Sequence, residues 1–163
     1  MGDNIKPFFL NDVKRKDAFF AVLSSWVGTP YRRNCGIKGR GADCALFLAE
    51  ALREYGILTT VEAPKYLPSD WHVHGNTEVF LRSMANHFSH LRSGLKAKVV
   101  KEENFAFGDW LIFRVSQKRL ANHSAIYIGN GDIVHSTEKI GVHIAPLRYW
   151  EKYIYRAYRL CEE

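Results

Sequence analysis

The hydrophobic period changes once along this chain, and that change limits its fold more than any other feature. Up to about residue 91 the apolar residues recur at helical spacing, and from residue 110 they fall in short runs bounded by Gly, Asn, Asp or Pro. Residues 11–27 read as a helix with an apolar stripe of Phe19, Phe20, Leu23, Trp26 and Val27, stopped by Gly28 and Pro30. Residues 28–41 read as a long loop without regular period. A second helix follows: Cys44, Phe47, Leu48, Ala51, Leu52 and Tyr55 share one stripe, Asp43 is the natural N-cap and Gly56 the left-handed stop. Residues 77–91 give a third, with Phe80, Leu81, Met84 and Phe88 on its apolar face. Five strands are expected after it, over residues 110–115, 124–128, 133–136, 142–145 and 153–160. Helices first and short antiparallel strands afterwards is the α+β pattern.

Cys44 stands in the first turn of the second helix, on its core-facing stripe. Such a thiol is either a small buried side chain or a nucleophile whose thiolate is stabilised by the unpaired N–H groups and the positive end of the helix dipole. His123 and His135 lie on the two arms of one hairpin, joined by the strong turn signal Asn130-Gly131. A helix-start cysteine with two histidines supplies a nucleophile, a base and an orienting group, the parts a thiol hydrolase needs.

Length and composition narrow the remaining classes. A chain of 163 residues fits a single domain, here residues 1–163, and 47% hydrophobic with 5 Pro excludes a disordered or low-complexity chain. The apolar runs are too short to span a bilayer, so no membrane insertion is expected; residues 1–17 lack a secretory signal, which makes synthesis in the cytoplasm the expectation. Three cysteines, Cys35, Cys44 and Cys161, are too few and too odd in number for a disulfide framework. His72 and His74 alone do not make a zinc site, so neither metal nor cofactor is expected. The net charge of +6 favours acidic polymers, including nucleic acid, anionic lipid and the carboxylate-rich cell wall. The basic residues do not line one helix with interleaved aromatics, so no nucleic-acid partner is expected.

Four stretches together resemble the NlpC-type papain-like cysteine peptidases of bacterial cell walls. They are Trp26-Val27-Gly28-Thr29-Pro30-Tyr31, Gly41-Ala42-Asp43-Cys44, Phe107-Gly108-Asp109-Trp110-Leu111-Ile112-Phe113, and Asn122-His123-Ser124-Ala125-Ile126-Tyr127-Ile128-Gly129-Asn130-Gly131 continuing to Ile133-Val134-His135-Ser136. The resemblance implies a papain-like α+β fold, with the nucleophile at a helix start packed on an antiparallel sheet or half-barrel of about five strands. It implies Cys44 as nucleophile, His123 as general base, His135 as the group orienting His123, Tyr31 at the oxyanion site and Asp43 holding a free substrate amine. The implied activity is cleavage of amide bonds in peptidoglycan stem peptides, of the γ-D-glutamyl to diamino-acid type. Peptidoglycan or muropeptides are then the partners. A longer stretch at residues 57–104, read as a helical insert, looks like the branch encoded with phage tail proteins, which would make tail proteins partners and the virion or cell wall a destination. An acyltransferase of related Cys-His fold is the alternative enzyme, disfavoured because Cys44 precedes His123; a non-catalytic tail or wall-binding module is the other.

Two departures stand out. Where the family has Ser-Gly after the nucleophile this chain has Ala45-Leu46, and Cys35 stands where glycine is frequent. A regulatory disulfide at Cys35 and an idle thiol are both open. The triad also constrains the hairpin: a two-residue loop at Asn130-Gly131 would pair Gly129 with Asp132 and leave His135 facing Ile126, on the side opposite His123. A three-residue loop with Gly131 as a bulge pairs Ile128 with Asp132 and Ala125 with His135, making the two histidines diagonal neighbours; this is the register expected.

Overall fold

A computed structural model describes residues 5–62, 78–101, 104–115 and 120–163. Strand β1 (Lys6–Pro7) precedes helix α1 (Val13–Trp26). A small hairpin, β2 (Gly36–Ile37) with β3 (Gly41–Ala42), leads into helix α2 (Cys44–Tyr55). Helix α3 (Val79–Ser89) and strand β4 (Leu95–Val99) follow. Strands β5 (Trp110–Phe113), β6 (His123–Gly129), β7 (Asp132–Thr137), β8 (Gly141–Pro146) and β9 (Ile154–Glu162) complete the order.

Local signals set the helix ends. The Asp43 side chain accepts from the N–H groups of Ala45 and Leu46 at 3.0 and 2.8 Å, satisfying two donors that the first turn leaves open. Gly56, at φ 88°, closes α2 in the left-handed region. On α1, Phe19, Leu23 and Trp26 are buried as expected, while Phe20 and Val27 are 40% and 46% exposed. Phe20 lies one position off the i, i+4, i+7 row, and Val27 has left the helix. Helix α2 is buried more widely than its stripe predicts, because Leu46 and Ala49 are covered as well. Gly36 of the β2–β3 hairpin packs directly over Leu46 and Glu50. That hairpin is itself a correction to the structureless loop expected at residues 28–41.

Among the described residues the main sheet has seven strands, in the order β1-β9-β5-β6-β7-β8 with β4 also paired to β9, where about five were expected. The additional strands are β1 and β4. In β4 the run Leu95-Lys96-Ala97-Lys98-Val99 alternates apolar and charged residues, a strand signal inside a stretch read as a helical insert. The sheet divides two cores. Trp110, Ile112, Ile126, Val134 and Val142 belong to the core shared with α1 and α2. Leu111, Phe113, Ala125 and Ile133 belong to the other, covered by Leu147, Trp150 and Tyr153. Asp109, fully buried just before β5, is bonded by two guanidinium nitrogens of Arg159 on β9, both at 2.8 Å.

The β6–β7 register keeps the expected relation between the histidines by a different route. Gly129 pairs with Asp132 across a two-residue turn, and the register shifts between Tyr127 and Gly129, so that Tyr127 pairs with Ile133 and Ile126 with Val134. The bulge therefore falls at Ile128 inside β6, not at Gly131. Asn130 and Gly131 both have positive φ, as the tight hairpin turn requires.

Candidate active site

The nucleophile candidate is built by the junction of the β2–β3 hairpin with α2. Three bonds fix this corner: Asp43 N–H donates to the Cys35 carbonyl at 3.0 Å, Ala42 N–H to the Pro30 carbonyl at 3.0 Å, and Asn34 N–H to Asp43 Oδ2 at 2.9 Å. From the sheet side, two serines reach across to the same backbone. Ser124 on β6 donates its hydroxyl to the Cys44 carbonyl at 3.0 Å, and Ser136 on β7 donates to the Ala42 carbonyl at 2.8 Å. The start of α2 is thus stitched to the strands that carry the histidines.

Cys44 lines an open cleft of about 570 Å³ with Tyr31, Asp43, Ala45 and Asn122, and with Val79, Phe80 and Ser83 from the first turns of α3. The 57–104 stretch therefore supplies one wall of the cleft. Burial first, and then the Asp43 carboxylate, push the Cys44 thiol up to about 12, against hydrogen bonds from Ser124 that favour the thiolate. The Asp43 carboxylate accepts from the first N–H groups of α2 and adds a negative charge beside the sulfur to the larger effect of burial. Tyr31 is half-buried in the same cleft, and burial, followed by Cys44 and Asp43, holds its hydroxyl protonated well above the ordinary phenol range. It is accordingly a neutral donor. Asp43 also lines the cleft, and its Oδ2 accepts one backbone hydrogen bond, from Asn34.

His123 and His135 meet as their register demands, with His123 Nε2 2.8 Å from His135 Nδ1. Trp150 holds both rings: it stacks on His123 at 5.0 Å and 26°, and meets His135 edge-on at 4.7 Å and 88°. Phe113 also packs against His123 at 5.6 Å, with its ring 6.0 Å from that of Trp150. Burial first, with neighbouring histidines adding to it, holds both imidazoles well below the usual histidine range, so both are neutral at rest. His123 opens β6, and its chain neighbours both belong to the nucleophile's surroundings: Asn122 lines the cleft with Cys44, and Ser124 bonds the Cys44 carbonyl.

Two further residues join this group. His143 on β8 pairs directly across from His135, and their Nε2 atoms are 3.2 Å apart. Its signal lay in the short hairpin between residues 135 and 143. Trp150 stands between β8 and β9, where no local pattern marks its contact with the histidines. Cys35 carries no disulfide and borders a separate cavity with Leu46, Glu50 and Val61. His72 and His74 lie outside the described residues, and among the described residues no group of three or more side chains could hold a metal ion.

Comparison with known proteins adds a family to this geometry. The model of the NlpC/P60 family matches residues 28–159. The probable endopeptidase NlpC homolog of Haemophilus influenzae is 30% identical over 138 residues, 83% of this chain and 57% of its own length. The murein DD-endopeptidase MepS/murein LD-carboxypeptidase of Escherichia coli K12 is 26% identical over 146 residues, 88% of this chain and 62% of its own. This chain thus spans less than two thirds of either relative. Among solved structures, an NlpC/P60 family protein from Bacillus cereus superposes with a TM-score of 0.57 at 22% identity, over 87% of this chain and 39% of that one.

Proposed function

The chain belongs to the NlpC/P60 family, and on that premise we propose that it is a cysteine peptidase of bacterial peptidoglycan, with Cys44 as nucleophile and His123 as general base. The observation that carries the proposal is the stitching of Cys44 at the start of α2 to Ser124, next to a His123 already bonded to His135. Relatives named as an endopeptidase and a murein endopeptidase support the same reaction class.

In the proposed reaction the thiol gives its proton to His123 as sulfur attacks the amide carbonyl, and Tyr31 O–H donates to the oxyanion. His123 then returns the proton to the leaving amine, which departs and leaves an acyl-enzyme. Water, deprotonated by His123, attacks this thioester and releases the acid and the thiol. A neutral thiol and a neutral imidazole suit this order, because charge separates only as the new C–S bond forms. In this reading the Asp43 carboxylate, at the cleft wall, accepts from a free substrate amine, and Ala45 offers no hydroxyl to the substrate.

The bond proposed is the γ-D-glutamyl to diamino-acid link of the stem peptide, a preference that rests on the family resemblance. The name of the Escherichia coli relative favours a second reading, cleavage of the D,D cross-link. Phage tail proteins as partners are proposed on the resemblance of the 57–104 stretch alone. Incubating the protein with purified sacculi and with defined uncross-linked and cross-linked muropeptides, then identifying products by mass spectrometry, tests the proposal. A new diamino-acid amine terminus supports the first bond and monomers from cross-linked dimers the second. Intact substrates throughout would contradict the function.

A further inference from the structure

We propose that His143 is a positioning residue that dictates, through His135, which nitrogen of His123 carries a hydrogen. The inference rests on the reading of His123 as the general base and adds to it the group that makes the correct nitrogen basic. Three contacts form a head-to-tail chain. His123 Nε2 lies 2.8 Å from His135 Nδ1, His135 Nε2 lies 3.2 Å from His143 Nε2, and His143 Nδ1 lies 2.9 Å from the carbonyl oxygen of Gly141.

The far end of the chain fixes the rest. A carbonyl oxygen can only accept, so His143 Nδ1 must carry the hydrogen of the 2.9 Å contact. A neutral imidazole has one N–H, so His143 Nε2 is bare and accepts from His135 Nε2–H. His135 Nδ1 is then bare and accepts from His123 Nε2–H. By the same rule His123 Nδ1 is left with its lone pair free, which is the state a general base needs. The opposite polarity, with every ring reversed, removes the donor facing Gly141 unless the chain binds an additional proton. Among the described residues no carboxylate bonds to any of the three rings, so none assists that additional charge.

The anchor is rigid. Gly141 has φ +81°, and a Cβ on it would stand 2.3 Å from the Thr29 oxygen, so only glycine fits without displacing the backbone. The next residue pins the same point twice: Val142 N–H donates to the Thr29 carbonyl and Gly28 N–H to the Val142 carbonyl, both at 2.9 Å. The backbone that leads to Tyr31 thereby holds the carbonyl that orients the imidazole chain. The direct pairing of His135 with His143 in the β7–β8 ladder keeps the two rings on one face.

The experiment reads hydrogen positions directly, by nitrogen NMR of the full chain labelled at histidine, without substrate. The wild-type protein should show His123 with a bare Nδ1 and a protonated Nε2, and His143 with a protonated Nδ1. His143→Leu removes the acceptor for His135 Nε2–H and should give His123 a mixture of tautomers. On muropeptide substrate its kcat should fall at least tenfold with KM little changed. His143→Gln offers an amide oxygen to His135 Nε2–H and should restore the His123 pattern and a large part of kcat. A wild-type His123 with hydrogen on Nδ1, or His143→Leu with an unaltered His123 pattern, would overturn the proposal. An inert wild-type protein with the predicted tautomers would instead overturn the peptidase reading and leave the hydrogen assignment standing.

Discussion

The Ser124 hydroxyl donates to the carbonyl of Cys44 at 3.0 Å, tying the first residue of α2 to the second residue of β6. Ser124 is fully buried, so its loss leaves a carbonyl without that partner and without water to replace it. Ser124→Ala should cost about 1 kcal/mol in urea unfolding. If the bond also sets where the sulfur stands, kcat should fall by about tenfold, since small misplacements of a reacting group are costly. Unchanged kcat with lowered stability would confine Ser124 to a structural role.

Asp109 and Arg159 form a pair whose members are very unequally buried, the carboxylate being 0% and the guanidinium side chain 18% exposed. Removing the cation strands a buried charge, whereas Asp109→Asn keeps an acceptor for Arg159. Arg159→Met should therefore destabilise by about 3 kcal/mol or more, and Asp109→Asn by less. Denaturant midpoints of the two variants check the order. This pair also gives a structural meaning to the Gly108-Asp109-Trp110 stretch, which holds β5 to β9.

Burial keeps His123 and His135 neutral in the folded protein, while in the unfolded chain they titrate near the ordinary value of about 6.5. Their folded values are depressed, so their contribution to stability is complete above about pH 6.5 and is lost as pH falls below it. Each should add a slope of about 1.4 kcal/mol per pH unit between about pH 6 and 5. His87, whose burial also lowers its titration, adds to the same limb. Urea unfolding across this window should show the slope, and the double variant His123→Gln, His135→Gln should reduce it by about two protons. An identical slope in that variant would place the acid sensitivity elsewhere.

His87 on α3 is 1% exposed, and neither ring nitrogen has a hydrogen-bond partner among the described residues. An apolar side chain of similar volume removes this penalty without opening a large cavity. His87→Leu should stabilise by about 1 to 2 kcal/mol, read as a raised denaturant midpoint. A destabilised variant would mean that the imidazole has a partner in another state of the protein.

Much of this architecture was legible where the signal was local. Helix α2 could be bounded to the residue because Asp43 and Gly56 are chemical stops, whereas a bulged register joining His123 to His135 was expected only because the implied triad required it, the Asn130-Gly131 turn alone placing them on opposite faces. The bulge moved to Ile128 because Asn130 and Gly131 form a complete two-residue turn on their own, and the additional residue had to go into the strand. His143 and Trp150 escaped because their roles depend on distant partners: the β7–β8 pairing for one, and the packing of residues 147–153 over the sheet for the other. Ser124 escaped for a related reason, since a serine in a strand gives no hint that a helix start lies across from it. The helix start left two readings of Cys44 open, because the helix dipole is a local argument and desolvation depends on the whole packed site.

The most direct test of the central claim is the rate at which wild-type protein and Cys44→Ala release new amine termini from one defined muropeptide at equal concentration. Alanine is a good helix former and the lost sulfur is small, so circular dichroism and unfolding midpoint should stay close to wild type. Wild-type protein should cleave the muropeptide, and Cys44→Ala should show no turnover above the uncatalysed background. Turnover by Cys44→Ala at a rate near that of the wild type would contradict the assignment of Cys44 as nucleophile and, with it, the mechanism proposed for this site.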